Sequence, residues 1–152
     1  MTPEQRNRAA SALWGEAEAT SDQVQAALII AKKMKFRPKT VMGLDGQHKA
    51  RYLASVPDPP EDLAARLLVV YHLAAQRPMM SAFLDALGLG HEHGLIREDA
   101  VTPDPAKVAS AVATIAREYP AHDVSLYLNT LLWQDPSTWG LLQGVPEVIA
   151  SR

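Results

Sequence analysis

The chain of 152 residues contains no cysteine, and this absence removes several kinds of chemistry at once. Without thiols there are no disulfides, no thiolate zinc sites and no cysteine nucleophile. Aromatic residues are scarce as well, at 6% of the chain, so alanine and aliphatic side chains must build most of any core. Alanine and leucine lose little conformational freedom in helices, and their abundance favours a helical fold.

Long apolar runs are also missing from the chain. Runs such as residues 67–71 are far too short to span a bilayer. The segment behind Met1 is polar and lacks the apolar centre of a secretion signal. From these two features we expect a cytoplasmic protein that does not enter a membrane.

Proline marks several helix starts in the sequence. Thr2, Asp58 and Asp104 each precede a proline, and their side chains are suited to cap a helix whose first position needs no backbone donor. Apolar residues at intervals of three or four follow each start, and residues 63–74 are apolar on nearly every side, as in a central helix. The sequence predicts an all-α fold, an orthogonal or antiparallel bundle of six to seven helices forming one domain over residues 1–152.

A shift of 45 residues places the apolar positions of one part of the chain onto those of another. Leu63 then aligns with Val108, and Phe83 aligns with Leu128. The similarity predicts two or three repeated helical hairpins, as in a short α-solenoid. The units would be residues 21–56, 58–96 and 103–142. The competing interpretation is that the helical period alone aligns any two amphipathic hairpins.

Positive charge is concentrated in one segment, although the net charge of the chain is only −2. Residues 23–51 carry seven basic side chains and a single acid, Asp45, which leaves −8 for the rest. We predict a patch for an anionic partner at the densest part of this segment. Its residues are Lys32, Lys33, Lys35, Arg37 and Lys39.

The competing interpretation of this patch is that lysines in the last turns of a helix only complement the helix dipole. Because the chain as a whole is not basic, a nucleic-acid partner is not expected.

Two histidines flank Glu92 between glycines in the segment 90–94. Imidazole is a good ligand for zinc, copper, iron and nickel, and we name His91 and His93 as candidate metal ligands. Glu98 or Asp99 follows closely enough to add an oxygen. A zinc site needs at least three protein ligands, so a loop with two solvated histidines is the competing interpretation.

Isolated polar and aromatic side chains have simpler explanations. His72 lies within the most apolar helix, where a hydrogen-bonded core histidine is favoured over a general base because no catalytic partner can be named beside it. Trp133, Trp139 and Tyr119 lie near predicted helix ends, and for at least two of them a core position is favoured over an interaction surface.

No catalytic motif is present in the sequence, neither a nucleophile elbow nor a phosphate-binding loop nor a zinc-protease motif. We therefore predict a helical protein-interaction or scaffold module that has no catalysis and no cofactor of its own. The alternative is a small metal-binding or metal-dependent helical enzyme that uses His91 and His93. The opposed charges of the basic segment and the remainder, together with the apolar helix near residues 63–75, predict a homodimer.

Overall fold

The structure is a computed structural model that describes residues 1–15, 21–96 and 102–149. Within these ranges the chain forms ten α-helices, one 3-10 helix and a two-stranded antiparallel hairpin, so the predicted all-α class is confirmed. The helices are α1 (Pro3–Trp14), α2 (Ser21–Met34), α3 (Pro38–Met42), α4 (Gly46–Ala54), α5 (Glu61–Ala75), α6 (Arg77–Leu87), α7 (Pro105–Glu118), α8 (Ala121–Gln134), α9 (Pro136–Trp139) and α10 (Pro146–Ile149). The 3-10 helix is Gly140–Gly144, and the strands are β1 (His91–Glu92) and β2 (Leu95–Ile96).

The described ranges contain more helices than the six or seven that the sequence predicts, although seven of them have nine or more residues. The other three, α3, α9 and α10, have four or five residues each. Each of them buries a single side chain, so no apolar period is long enough to reveal it.

Two of the three predicted caps are present. The Thr2 hydroxyl accepts from the Gln5 backbone N–H at 3.1 Å, and Asp104 accepts from the Ala106 N–H at 2.9 Å. The predicted cap at Asp58 is wrong, because α5 begins only at Glu61. Pro60 keeps the residue before it, Pro59, out of the α region, and the helix starts after this pair.

The chain folds into two compact units, Met1–Ala75 (unit 1) and Gln76–Arg152 (unit 2). In unit 1, α1 packs against α4 and α5, while α2 packs against α3 and α5. Its core consists mainly of short side chains. The buried members are Ala10, Leu13, Ala26, Ala27, Ile30, Ala31, Val41, Ala50, Leu53, Leu63 and Val70.

In unit 2, α6 packs against α7, and α8 packs against α9 and α10. Larger side chains fill this core. The ring of Phe83 meets the ring of Tyr127 edge-on, with 5.6 Å between centroids, and lies 6.0 Å from the ring of Trp139. Trp139 is therefore a core residue, whereas Trp133 is half exposed and Tyr119 is half-buried. The expectation that at least two of these three residues belong to the core is wrong.

The single domain over 1–152 and the repeated hairpins stay predictions. The predicted hairpin over 58–96 includes residues of both units, since the boundary between the units lies between α5 and α6.

No helix of the described residues has the length and apolar character that crossing a membrane requires.

Candidate interaction surface and histidine hairpin

The predicted basic patch surrounds the C-terminal end of α2. The backbone N–H of Phe36 donates to the Ala31 carbonyl at 2.9 Å, and Lys35 has a φ of 57°. This is the Schellman arrangement, in which the residue after the helix adopts a left-handed conformation that usually falls to glycine. Here a lysine occupies that position, and the turn leads directly into Arg37 and α3.

All five predicted patch residues lie at exposed positions. Lys33 nevertheless differs from the others, because its ammonium donates to the Ser55 carbonyl at 2.6 Å and to the Ser55 hydroxyl at 3.2 Å. It connects the end of α2 to the end of α4, where cations complement unpaired carbonyls. A structural role therefore explains Lys33, while Lys32, Lys35, Arg37 and Lys39 present their charge at the surface.

An aromatic cluster adjoins these charges, and no sequence pattern predicted it. The Phe36 ring meets the Tyr52 ring edge-on with 6.0 Å between centroids, and the Arg51 guanidinium lies 5.6 Å from the Tyr52 ring. The His48 ring lies 6.5 Å from Tyr52. An arginine at this distance over a tyrosine makes a cation–π contact. Phe36 follows α2 and Tyr52 belongs to α4, so no helical period relates them.

The one acid of the segment 23–51 is engaged locally. Asp45 caps α4 by accepting from the His48 backbone N–H at 2.8 Å, and its second oxygen lies 2.6 Å from His48 Nδ1. The backbone N–H of His48, followed by its ring, lowers the pKa of the Asp45 carboxyl. Asp45 thus stays charged, but its charge is directed at His48 and leaves the lysines without compensation from within the segment.

We use the name basic surface for the outward-facing part of this region. It comprises Lys32, Lys35, Phe36, Arg37, Lys39 and Arg51, which are exposed, together with the half-buried Tyr52. Lys49 is not included, because its ammonium lies 4.8 Å above the Trp14 ring and packs α4 against α1.

The second candidate region is the hairpin β1–β2, which carries both predicted metal ligands. The Gly94 backbone N–H donates to His91 Nδ1 at 3.2 Å, and His91 Nε2 lies 2.7 Å from Asp85 Oδ1 on α6. Because Nδ1 accepts, the neutral ring carries its proton on Nε2 and donates it to Asp85. Arg77 also donates to the His93 carbonyl at 3.1 Å, which fixes the turn to α6.

A metal at His91 must displace one of these two hydrogen bonds, since both ring nitrogens are engaged. Across residues 1–15, 21–96 and 102–149, no group of three or more His, Asp or Glu side chains is placed to hold an ion. Glu98 and Asp99, named as further ligands, lie outside the described residues. The metal site at His91 and His93 stays a prediction.

Two buried titratable side chains, His72 and Tyr127, lie outside both candidate regions. His72 is buried, as expected, and its Nδ1 lies 2.8 Å from the Leu68 carbonyl one turn earlier. Burial raises the pKa of the Tyr127 phenol well above its ordinary range, so the hydroxyl stays protonated. A phenol that is held protonated in this way does not act as a base.

Comparison with known proteins adds no relative to this picture. No family model, no curated protein and no solved structure matches the chain. The function must therefore be inferred from the geometry of the basic surface and of the histidine hairpin.

Proposed function

We propose that the chain is a helical protein-interaction module without catalysis of its own, which binds an acidic segment of a partner protein through the basic surface of unit 1. The observation that carries the proposal is the aromatic and cationic cluster of Phe36, Tyr52 and Arg51 beside exposed lysines. Tyrosine, phenylalanine and arginine are enriched in protein interfaces, and a positive surface accelerates encounter with a negative one.

A protein partner is favoured over a nucleic acid. Phosphate binding uses many lysines and arginines, and the net charge of this chain is −2. The basic surface instead combines a few charges with rings that are partly buried against one another. Such an arrangement favours a contact that needs both apolar area and charge.

Charge reversal tests the proposal. The double variant Lys35→Glu with Lys39→Glu changes the basic surface, and Lys107→Glu with Arg117→Glu makes the same charge change on exposed positions of α7. The unchanged protein and both double variants are used to capture partners from a lysate of the source cells. The captured partner is then purified and titrated against each of the three proteins. We expect the first variant to weaken binding at least ~10-fold and the second to leave it nearly unchanged.

The titration also includes a salt series. Binding through exposed charges is expected to weaken as the ionic strength rises, because the Debye length falls from roughly 10 Å at 0.1 M salt. Equal binding by both double variants would refute the proposal, and so would turnover of a small-molecule substrate by the purified chain.

The proposal retains the homodimer and the cytoplasmic location expected from the sequence. Over the full sequence, unit 1 carries a net charge of +2 and unit 2 a net charge of −4, which supports contact between unlike surfaces of two copies. Sedimentation equilibrium at low and high salt tests the dimer. A monomer throughout the micromolar range would contradict it.

A further inference from the structure

The outer face of α2 carries an apolar stripe that continues into the basic surface. Val24, Leu28 and Lys32 are spaced by four residues, which places them on one side of the helix. Val24 is 50% exposed and Leu28 is 52% exposed, while the opposite side of the helix packs into the core of unit 1. We call these three residues the α2 outer stripe.

The two ends of the stripe differ in charge. Near its apolar end, Asp22 is half-buried and pairs with Arg66 of α5, with 3.2 Å between Oδ2 and Nε. Its charge is therefore directed at unit 1 itself. At the other end, Lys32 and Lys35 are exposed, with Arg37 and Lys39 following. The stripe thus offers apolar contact over one turn and positive charge over the next.

Apolar contact beside positive charge indicates which kind of partner segment would bind the α2 outer stripe. A single exposed aliphatic residue is ordinary, but two of them one turn apart match the anchor spacing by which a second helix packs. Carboxylates on that second helix would meet Lys32 and Lys35. Charge complementarity and spacing together indicate an acidic amphipathic helix.

We propose that the α2 outer stripe docks an amphipathic α-helix of the partner protein, with apolar anchors against Val24 and Leu28 and carboxylates against Lys32 and Lys35. The inference rests on the proposed function and adds the form of the acidic segment. Helix packing orients the segment along α2, because ridges of side chains on one helix fit the grooves of the other.

A second copy of the chain fits this face less well. Two-fold pairing through α2 would bring the segment 23–51, with its charge of +6, against itself. An anionic membrane also fits less well, because the stripe offers only two half-exposed aliphatic residues. Both remain outcomes that the experiment separates.

The probe is a synthetic peptide of about 18 residues, long enough to form a helix, with leucines on one face over its first turns and glutamates on the same face over the following turns. Its binding to the full chain is measured by fluorescence anisotropy at low salt. We expect saturable binding, weakened ~10-fold by Leu28→Gln or by Val24→Gln, since each removes apolar area from the contact. Ile149→Gln is the matched control, because Ile149 is 53% exposed in unit 2, and we expect it to bind as the unchanged protein does.

Two further peptides test the form of the occupant. A version with lysine in place of glutamate is expected not to bind. A scrambled version, with the same composition but no apolar face, is expected to bind at least ~10-fold more weakly. Equal binding of the scrambled and amphipathic peptides would overturn the inference, as would normal binding by both Leu28→Gln and Val24→Gln.

The remaining outcomes separate this inference from the proposed function. If Lys35→Glu with Lys39→Glu abolishes partner binding but the two stripe variants do not, the inference fails and the proposed function stands. If the charge variant also binds normally, the proposed function fails as well. Binding to vesicles of phosphatidylcholine and phosphatidylserine, or a dimer that Leu28→Gln dissociates, in the absence of peptide binding would overturn the inference in favour of a lipid surface or a second copy.

Discussion

The two units form their cores from different side chains. Among the described residues, alanine provides six of the fourteen buried apolar positions in unit 1 but only one of the eighteen in unit 2. Short side chains let helices approach closely, whereas unit 2 fills its interior with Phe83, Tyr127 and Trp139. One helical class thus accommodates two kinds of packing. Unit 1 should be sensitive to added volume, and unit 2 to volume removed.

The largest expected effect follows from removing a ring from unit 2. Phe83 is fully buried between Tyr127 and Trp139, so Phe83→Ala leaves a cavity that its neighbours fill only in part. We expect the free energy of unfolding to fall by about 3–5 kcal/mol in urea titrations. Trp133→Ala, at a half-exposed aromatic position of the same unit, is the control and should cost clearly less. Similar losses for both variants would contradict the account of this core.

A smaller effect is expected at the histidine hairpin of unit 2, where backbone approaches α6 closely. Gly94 has a φ of 91°, and a Cβ there would lie 2.7 Å from the Met80 Cβ. Gly94→Ala combines backbone strain with overlap, and we expect a loss of about 2–4 kcal/mol.

Gly88→Ala isolates the strain component of that change. Its φ is 72°, and a Cβ there would meet only the flexible end of Lys107, at 3.8 Å. We expect a loss of about 1–2 kcal/mol from the conformation alone. Both variants are measured by urea unfolding, with hydrogen exchange at the hairpin amides. If Gly94→Ala lowers the free energy of unfolding no more than Gly88→Ala does, the close approach to Met80 does not contribute to the loss.

The matching test in unit 1 adds volume to the alanine core. Ala26 is fully buried on α2, and Ala26→Leu should lower the free energy of unfolding by about 1–3 kcal/mol through overpacking. Ala86→Leu, at an exposed position of α6, makes the same substitution without crowding and should be nearly neutral. A neutral Ala26→Leu would show that unit 1 has room that its short side chains do not fill.

The smallest effect concerns one helix cap in each unit, Asp45 at the start of α4 and Asp135 at the start of α9. Hydrogen bonds from the Thr138 and Ser137 hydroxyls lower the pKa of Asp135, and those from His48 lower the pKa of Asp45. A carboxyl whose pKa is lowered on folding stabilises the protein above its unfolded pKa, and this contribution disappears as the pH falls through the folded value. Asp135→Asn and Asp45→Asn should therefore each flatten the fall in Tm below a pH of about 4. If the fall in Tm at low pH is the same in both variants as in the unchanged protein, the contribution assigned to these two caps is wrong.

The sequence was sufficient for the fold where the signals are local. Thr2 and Asp104 act as caps because a cap depends on residues two or three positions away, and the long helices follow from periodic burial. Contacts between separate elements follow from no local spacing in the sequence. The Phe36–Tyr52 pair and the hydrogen bond from Lys33 to Ser55 are therefore seen only in the structure. The basic residues themselves were predicted, but not which of them their own chain would engage.

The conformation of Lys35 has a consequence for engineering. A lysine in the left-handed position that ends α2 is less stable there than glycine, by roughly 1 kcal/mol. Substitution by glycine is thus the change that a search for greater thermal resistance would find first at this turn. On the proposed function, this substitution would also remove a charge from the basic surface. Selection for heat tolerance alone would therefore produce a more stable protein that binds its partner more weakly.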